Sequence, residues 1–242
     1  MAADPKQQRK IGGRSRHLTD GNDMYVPAQY QAEDPSWTWE LIDSHPLATL
    51  ITATDGVPLA SHVPTIRRPA PESDDDAVPT DTHSILVGHM NRVNPQWTAI
   101  GTGCPALLVY TGPDRYVSPT VYGVTPAAPT WNFTAVHANG WLSPLPPGEP
   151  TLAVIRSTVE ALEGRHGAGW DMTSSLDYFD RLLPGVGAFE LRVDRVDAMF
   201  KLSQDQAPDV RDRVAADTAA TGCGHHRELV RLMARAAGRD EP

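Results

Sequence analysis

Apolar positions along the chain switch between two periods. LATLITAT (47–54) and VPLASHVPTI (57–66) are rich in β-branched residues, and only Asp55-Gly56 separates them. That pair is the two-residue signal of a tight hairpin. SILVGH (84–89), ALLVYT (106–111) and WNFTAVHANGWL (131–142) read as three further strands. In VGAFELRVDRVDAMFKL (186–202), Phe189, Leu191 and Val193 alternate, then the phase slips before Val196, Ala198 and Phe200, as a β-bulge would cause. Helical spacing appears four times. Asp34-Pro35 supplies a cap and an N1 proline ahead of Trp37, Leu41 and Ile42, and this helix ends by Pro46. Leu152, Ile155, Val159 and Leu162 form a second stripe with Gly164 as its stop; Leu176, Phe179, Leu182 and Leu183 form a short one before Pro184. From His225, Leu229, Leu232, Met233 and Ala236 form the last.

Two stretches carry no period. Residues 67–82 hold prolines and acids and predict an exposed loop. Residues 112–129 are proline-rich yet carry Tyr116 and Tyr122, the mark of a functional loop. Five or six strands with helical insertions predict a single α+β domain on a small barrel over 24–206. A disordered leader (1–23) precedes it and a helical segment (207–242) follows.

A hydrophobic fraction of 40% in 242 residues is enough for a buried core, which excludes a wholly disordered chain. No apolar run approaches the length of a spanning helix, and the first residues lack the apolar core of a signal peptide. A cytoplasmic location with no membrane partner is expected. Net charge is −9, which argues against nucleic acid as a partner; Lys6, Arg9, Lys10, Arg14 and Arg16 read as part of a solvated leader. Cys104 and Cys223 are too far apart in sequence for a metal knuckle. Gly-rich phosphate loops, nucleophile elbows and H-E-x-x-H motifs are absent.

Polar and aromatic side chains inside apolar β segments are the remaining candidates. His62 interrupts a strand, His89 ends one and His137 sits within one. Each also fits a histidine satisfied by a carbonyl within the barrel. Together with Tyr116, Tyr122, Trp131 and Asn132 they supply what a planar cofactor pocket needs: apolar walls and a few polar anchors. Cys104 fits either a thiolate ligand or a small buried hydrophobe.

Seven motifs occur in order: MYVPAQY, HPLATLIT, SHVPTI, GHMNRVNPQW, YVSPTVY, PTWNFTAVHANG and FKLSQDQ. On these the chain resembles the PaiB-like family of FMN-binding negative transcriptional regulators. The resemblance implies an FMN-binding-type split β-barrel with peripheral helices, assembled as a homodimer with the cofactor between protomers. The chain departs from the usual pattern where YVSPTVYGVTPAAPTWNF carries Val121 and no lysine, and where LSQD ends the last motif. Lys201 alone keeps that motif's positive charge, which weakens the provision for an anionic phosphate.

PAAPTWNFT and GAGWDMT (167–173) are similar to the heme-dependent piperazate synthases of that family. This branch implies heme b and an amino-acid substrate, L-N-hydroxyornithine, cyclised to L-piperazic acid by N–N bond formation with loss of water. The alternative is an FMN-binding regulator or flavin reductase; a plain heme carrier is a third. The iron needs one protein ligand, best a neutral imidazole. His62 is the expected ligand, since alternation places it with Ala60 and Ile66 and Pro64 suggests an edge or bulged position. His137 is the expected base or hydrogen-bonding partner. Tyr116 and Tyr122, with Ser118 and Thr120, are expected to orient the substrate, and His89, Trp131, Asn132 and Lys201 to line the cofactor. Arg92, Arg115 and Lys201 are candidates for a carboxylate clamp.

Overall fold

Asp55 and Gly56 adopt φ of 51° and 77°, the left-handed pair of a type I′ turn. They join β1 (Leu47–Thr54) to β2 (Val57–Arg67), paired in unbroken register from Leu47↔Pro64 to Thr54↔Val57. The computed structural model describes residues 24–68 and 84–239. Four more strands, β3 (Ile85–Asn91), β4 (Cys104–Val117), β5 (Thr130–Pro144) and β6 (Val186–Lys201), complete a closed barrel in the order β1-β2-β3-β6-β5-β4. Every neighbouring pair is antiparallel. The fold is the expected α+β split barrel.

Alternation sends Leu50, Val63, Leu86, Leu108, Tyr110, Val136, Phe189 and Leu191 into the interior. The slip read in the last strand is a bulge: Asn139 faces Arg195 but Gly140 faces Val193, so Asp194 is the extra residue. Both halves of β6 thereby keep their apolar side chains inside. A second bulge, at Gly112-Pro113 on β4 opposite Thr134, changes the expected picture. It absorbs the turn-forming residues, and β4 runs on to Val117. Pro119 then starts α3 (Pro119–Tyr122), capped by Ser118, so only 123–129 remain irregular where a loop over 112–129 is predicted.

Two helices close the barrel ends. From α1 (Ser36–Ser44), Trp37 meets Phe200 edge-on at 5.6 Å, and Leu41 reaches the space left by Gly112. At the other end α2 (Pro95–Ile100), which the apolar pattern does not announce, inserts Gln96; its buried amide is shared between the Leu50 carbonyl, the Leu59 carbonyl and Thr52 Oγ1. α4 (Glu149–His166) covers Ile66, Val87 and Ala188 with Val154, and it runs past Gly164 to end at Gly167, whose amide donates to the Glu163 carbonyl. α5 (Leu176–Leu182) precedes β6. The last helices, α6 (Pro208–Ala219) and α7 (Gly224–Arg235), pack together over the Ser203 turn and β4. Arg67 is the final residue of β2; the rest of the expected loop, from 69, and the leader 1–23 lie outside the described residues.

Candidate cofactor-binding face

Register carries one row of residues across five strands. His62 faces Thr49, Thr49 faces Val109, Val109 faces His137, and His137 faces Asp197. Their neighbours Leu50, Val63, Leu108 and Val136 point inward, so the row lies on the outer surface. Around His62 the same surface carries Ala60 and Pro64 of β2, with Leu47 and Ile51 opposite on β1. Three strand spacings of about 4.8 Å put His62 and His137 roughly 14 Å apart. One iron therefore cannot take both within a protomer.

His62 is exposed, and its Nδ1 is hydrogen-bonded to Thr49 Oγ1 at 3.1 Å. With the proton on Nδ1, the hydroxyl accepts and Nε2 keeps its lone pair. Nε2 has no partner among the described residues. A ring held at one nitrogen and open at the other is what an axial ligand requires. His137 is half-buried; burial pushes its pKa down, against a smaller upward pull from Asp197. Asp197 is itself held by Arg195 Nε at 3.2 Å and by the Met24 amide at 3.3 Å.

His89 stands on β3 opposite Ala188, on the side that α4 covers. Its Nδ1 is sealed without a hydrogen-bond partner among the described residues, and burial lowers its pKa. β2 and β3 pair only from Thr65 to Arg67, so His62 and His89 flank the place where the two strands part. The two depressed histidines predict a pH dependence of folding. The unfolded chain takes up protons near pH 6.5 while the folded histidines resist them, so the unfolded state binds more protons below that point. Stability should fall as pH drops through this window. Urea midpoints on both sides of pH ~6.5 test this, and His89→Asn should flatten the trend.

A second polar group sits at the far end of the same sheet. Tyr116 and Trp131 face each other across β4 and β5, rings at 5.8 Å and edge-on. Trp131 Nε1 donates to Asp114 Oδ1 at 2.8 Å, and the Asp114 amide donates to His225 Nε2 at 2.9 Å. Lys201 donates to Thr130 Oγ1 at 2.6 Å, lies 5.7 Å over the Tyr30 ring, and has no carboxylate partner among the described residues. Burial first, then Asp205, raises the pKa of Tyr122 and of Tyr30, so both phenols keep their protons as donors.

Six residues of β5 separate Trp131 from His137, about 20 Å of strand. A single chain therefore does not bring Tyr116 and Tyr122 to the histidines, contrary to expectation, because β4 continues past its bulge instead of looping back. Ser118 and Thr120 serve the cap of α3. Asn132 faces the interior, fully buried, and exchanges hydrogen bonds with Ser203 at 2.9 and 3.0 Å; its amide fastens the KLSQ turn to β5 and is not offered to a cofactor. Among the clamp candidates, Arg115 pairs with Asp217 and Arg92 stacks over Trp97. Cys104 lies at the start of β4, and burial raises its thiol pKa, so it is a poor thiolate donor. A separate cavity of about 210 Å³ between α6 and α7, lined by Leu202, Arg211, Val230 and Met233, holds none of the expected site residues. Thr49, Tyr30, Asp205 and His225 are the site residues that sequence reasoning missed, although all but His225 lay within a quoted motif.

Comparison with known proteins agrees with this architecture. A family model described as "Putative FMN-binding domain" matches residues 24–195. The Bacillus subtilis protease synthase and sporulation protein PAI 2 is 27% identical over 185 residues, covering 76% of this chain and 83% of that protein. The flavocytochrome Anf3 of Azotobacter vinelandii shares the fold at a TM-score of 0.50 and 14% identity, covering 75% of this chain and 74% of that one. An FAD- and heme-binding protein of Mycobacterium smegmatis gives 0.48 at 19% identity, covering 77% and 80%. No helix among the described residues is long and apolar enough to cross a membrane.

Proposed function

The chain belongs to the FMN-binding domain family, and from that premise we propose that it is a heme-dependent cyclase converting L-N-hydroxyornithine to L-piperazic acid. One observation carries the choice of heme: His62, anchored through Nδ1 on Thr49 and open at Nε2, stands on an apolar, uncovered surface. The donor chemistry fits, being an imidazole oriented by a hydroxyl, whereas burial raises the thiol pKa of Cys104 on the same barrel. The PAAPTWNFT and GAGWDMT stretches support the same branch.

Bound at His62, heme supplies Lewis acidity to polarise the N–O bond of the substrate. The rest falls to side chains. The α-amine attacks the hydroxylated nitrogen, the N–O bond breaks, and the oxygen leaves as water with the proton the amine gives up. His137 is neutral at pH 7 because burial lowers its pKa, so it is fit to take that proton; Asp197 beside it stabilises the imidazolium so formed. Lys201, unpaired with any described carboxylate, is the fittest clamp for the substrate carboxylate. It faces Phe133, about 13 Å from His137 along β5, and its amine turns the other way to Thr130, so in this reading a second copy completes the pocket, as a homodimer with the cofactor between protomers.

Thr49→Val tests the anchor. It keeps the side-chain shape and removes the acceptor, so heme affinity should fall roughly tenfold or more in a titration of apo-protein. Unchanged affinity would remove Thr49 from the role.

FMN is the second reading, favoured by the family match and by Lys201, whose free charge suits a phosphate. An absorption spectrum of the purified protein separates the two. A single intense Soret band, together with loss of one water from added L-N-hydroxyornithine, is expected. Paired flavin bands and no turnover would overturn the heme reading.

A further inference from the structure

Helix α5 stands apart: among the described α-helices it alone buries no residue. Its packing is chiefly with the short turns on either side, and it belongs to neither core cluster. The segment is nonetheless apolar. Trp170, Tyr178 and Leu182 are 48%, 52% and 45% exposed, and Trp170 lies 6.5 Å from Phe179. Seven residues are too few to hold a helix in water without burial of one face. Among the described residues that burial is only partial, at Leu176, Phe179 and Leu183, which leaves the rest of the face open to another surface.

The same chain carries the matching deficit. Apart from α7, which reaches the far end of β4 at Asp114, no described helix covers the outer face of β1, β4 and the middle of β5, where Leu47 is 64% exposed and Ile51, Leu107 and Val109 are half-buried. Three strands at about 4.8 Å and eight residues at about 3.3 Å give that face a footprint of roughly 400 Å², short of the ~800 Å² per partner of a stable interface. A projecting helix makes up such a shortfall. In a two-fold dimer each contact occurs twice, so one apolar helix and one bare face per chain satisfy each other without remainder.

We propose that α5, with Trp170, packs across the uncovered strand face of a second copy and gives that copy's cofactor pocket an apolar wall. The docking stands on the exposed helix and the bare face alone; the wall rests on the reading of that face as the cofactor site.

Hydrogen exchange and light scattering on the full chain test the docking, in wild type and in the double variant Trp170→Asp, Leu182→Asp. None of these side chains is buried, so the variant should keep its far-UV circular dichroism. The wild type should be a dimer in which amides of 176–182 exchange at least roughly tenfold slower than in diluted monomer. The variant should shift toward monomer and lose that slowing. A monomeric wild type, or a dimer whose α5 exchanges as fast as in the monomer, overturns the proposal. Mixing the double variant with His62→Ala chains tests the wall. Each alone should lack heme, and mixed dimers should regain one heme per two chains, since one site then has both its histidine and its partner's helix. Failure to regain it, with heme bound by wild type, overturns the wall. A wild type lacking the Soret band but showing slowed α5 exchange would instead refute the heme reading and leave the docking standing.

Discussion

His62→Ala should fold normally and purify without heme. The side chain is exposed and its one described hydrogen bond is to Thr49, so its removal costs folding little, within about 0.5 kcal/mol. The cost to the cofactor should be near-complete, because an iron with a single protein ligand has nothing to replace it. Added imidazole should restore part of the Soret band by occupying the space left beside Ala60 and Pro64. His89→Ala and His137→Ala should keep the band. Nδ1 of His89 is sealed on the side that α4 covers, and His137 lies some 14 Å away across three strands. Full heme occupancy and an unchanged spectrum in His62→Ala would show that another group holds the iron.

What the sequence made legible follows a physical line between local and long-range causes. The Asp55-Gly56 turn and the phase slip between Val193 and Val196 are local, and both appear where the pattern put them. Gly112-Pro113 is also local but misleads: turn-forming residues were absorbed into a bulge, and the strand continued. The outward position of His62 follows from alternation alone. Its partner Thr49 follows only when the two-residue turn is used to count register, Thr54 opposite Val57 and so Thr49 opposite His62. Asp114 and His225 meet across 111 positions, a contact no window along the chain contains. Asn132 was within reach of the sequence: it shares parity with Val136 and Ala138, both core residues, so its amide had to point inward. Polarity suggested a pocket, and parity would have corrected it.

Gly140→Ala should be the most damaging small substitution in the barrel. A Cβ there would stand 2.0 Å from the Arg192 carbonyl oxygen, 2.9 Å from its carbon and 3.1 Å from the Val193 Cα. All three are backbone atoms of β6, so no side chain can turn aside to make room. Relief requires moving the strand, at a cost of about 3 kcal/mol. The move also reaches function. Gly140 lies where the Asp194 bulge resets the phase of β6, and that reset sets Asp197 opposite His137 while Val196, Ala198 and Phe200 stay inside. A one-residue slip would turn each of these to the other face. Gly164→Ala is the matched control, since nothing lies within 4 Å of its added Cβ in the exposed last turns of α4. It should raise stability by up to about 1 kcal/mol through helix propensity. Urea midpoints of the two variants should therefore move in opposite directions from wild type. A Gly140→Ala protein as stable as wild type would mean that β5 and β6 do not approach this closely at the bulge.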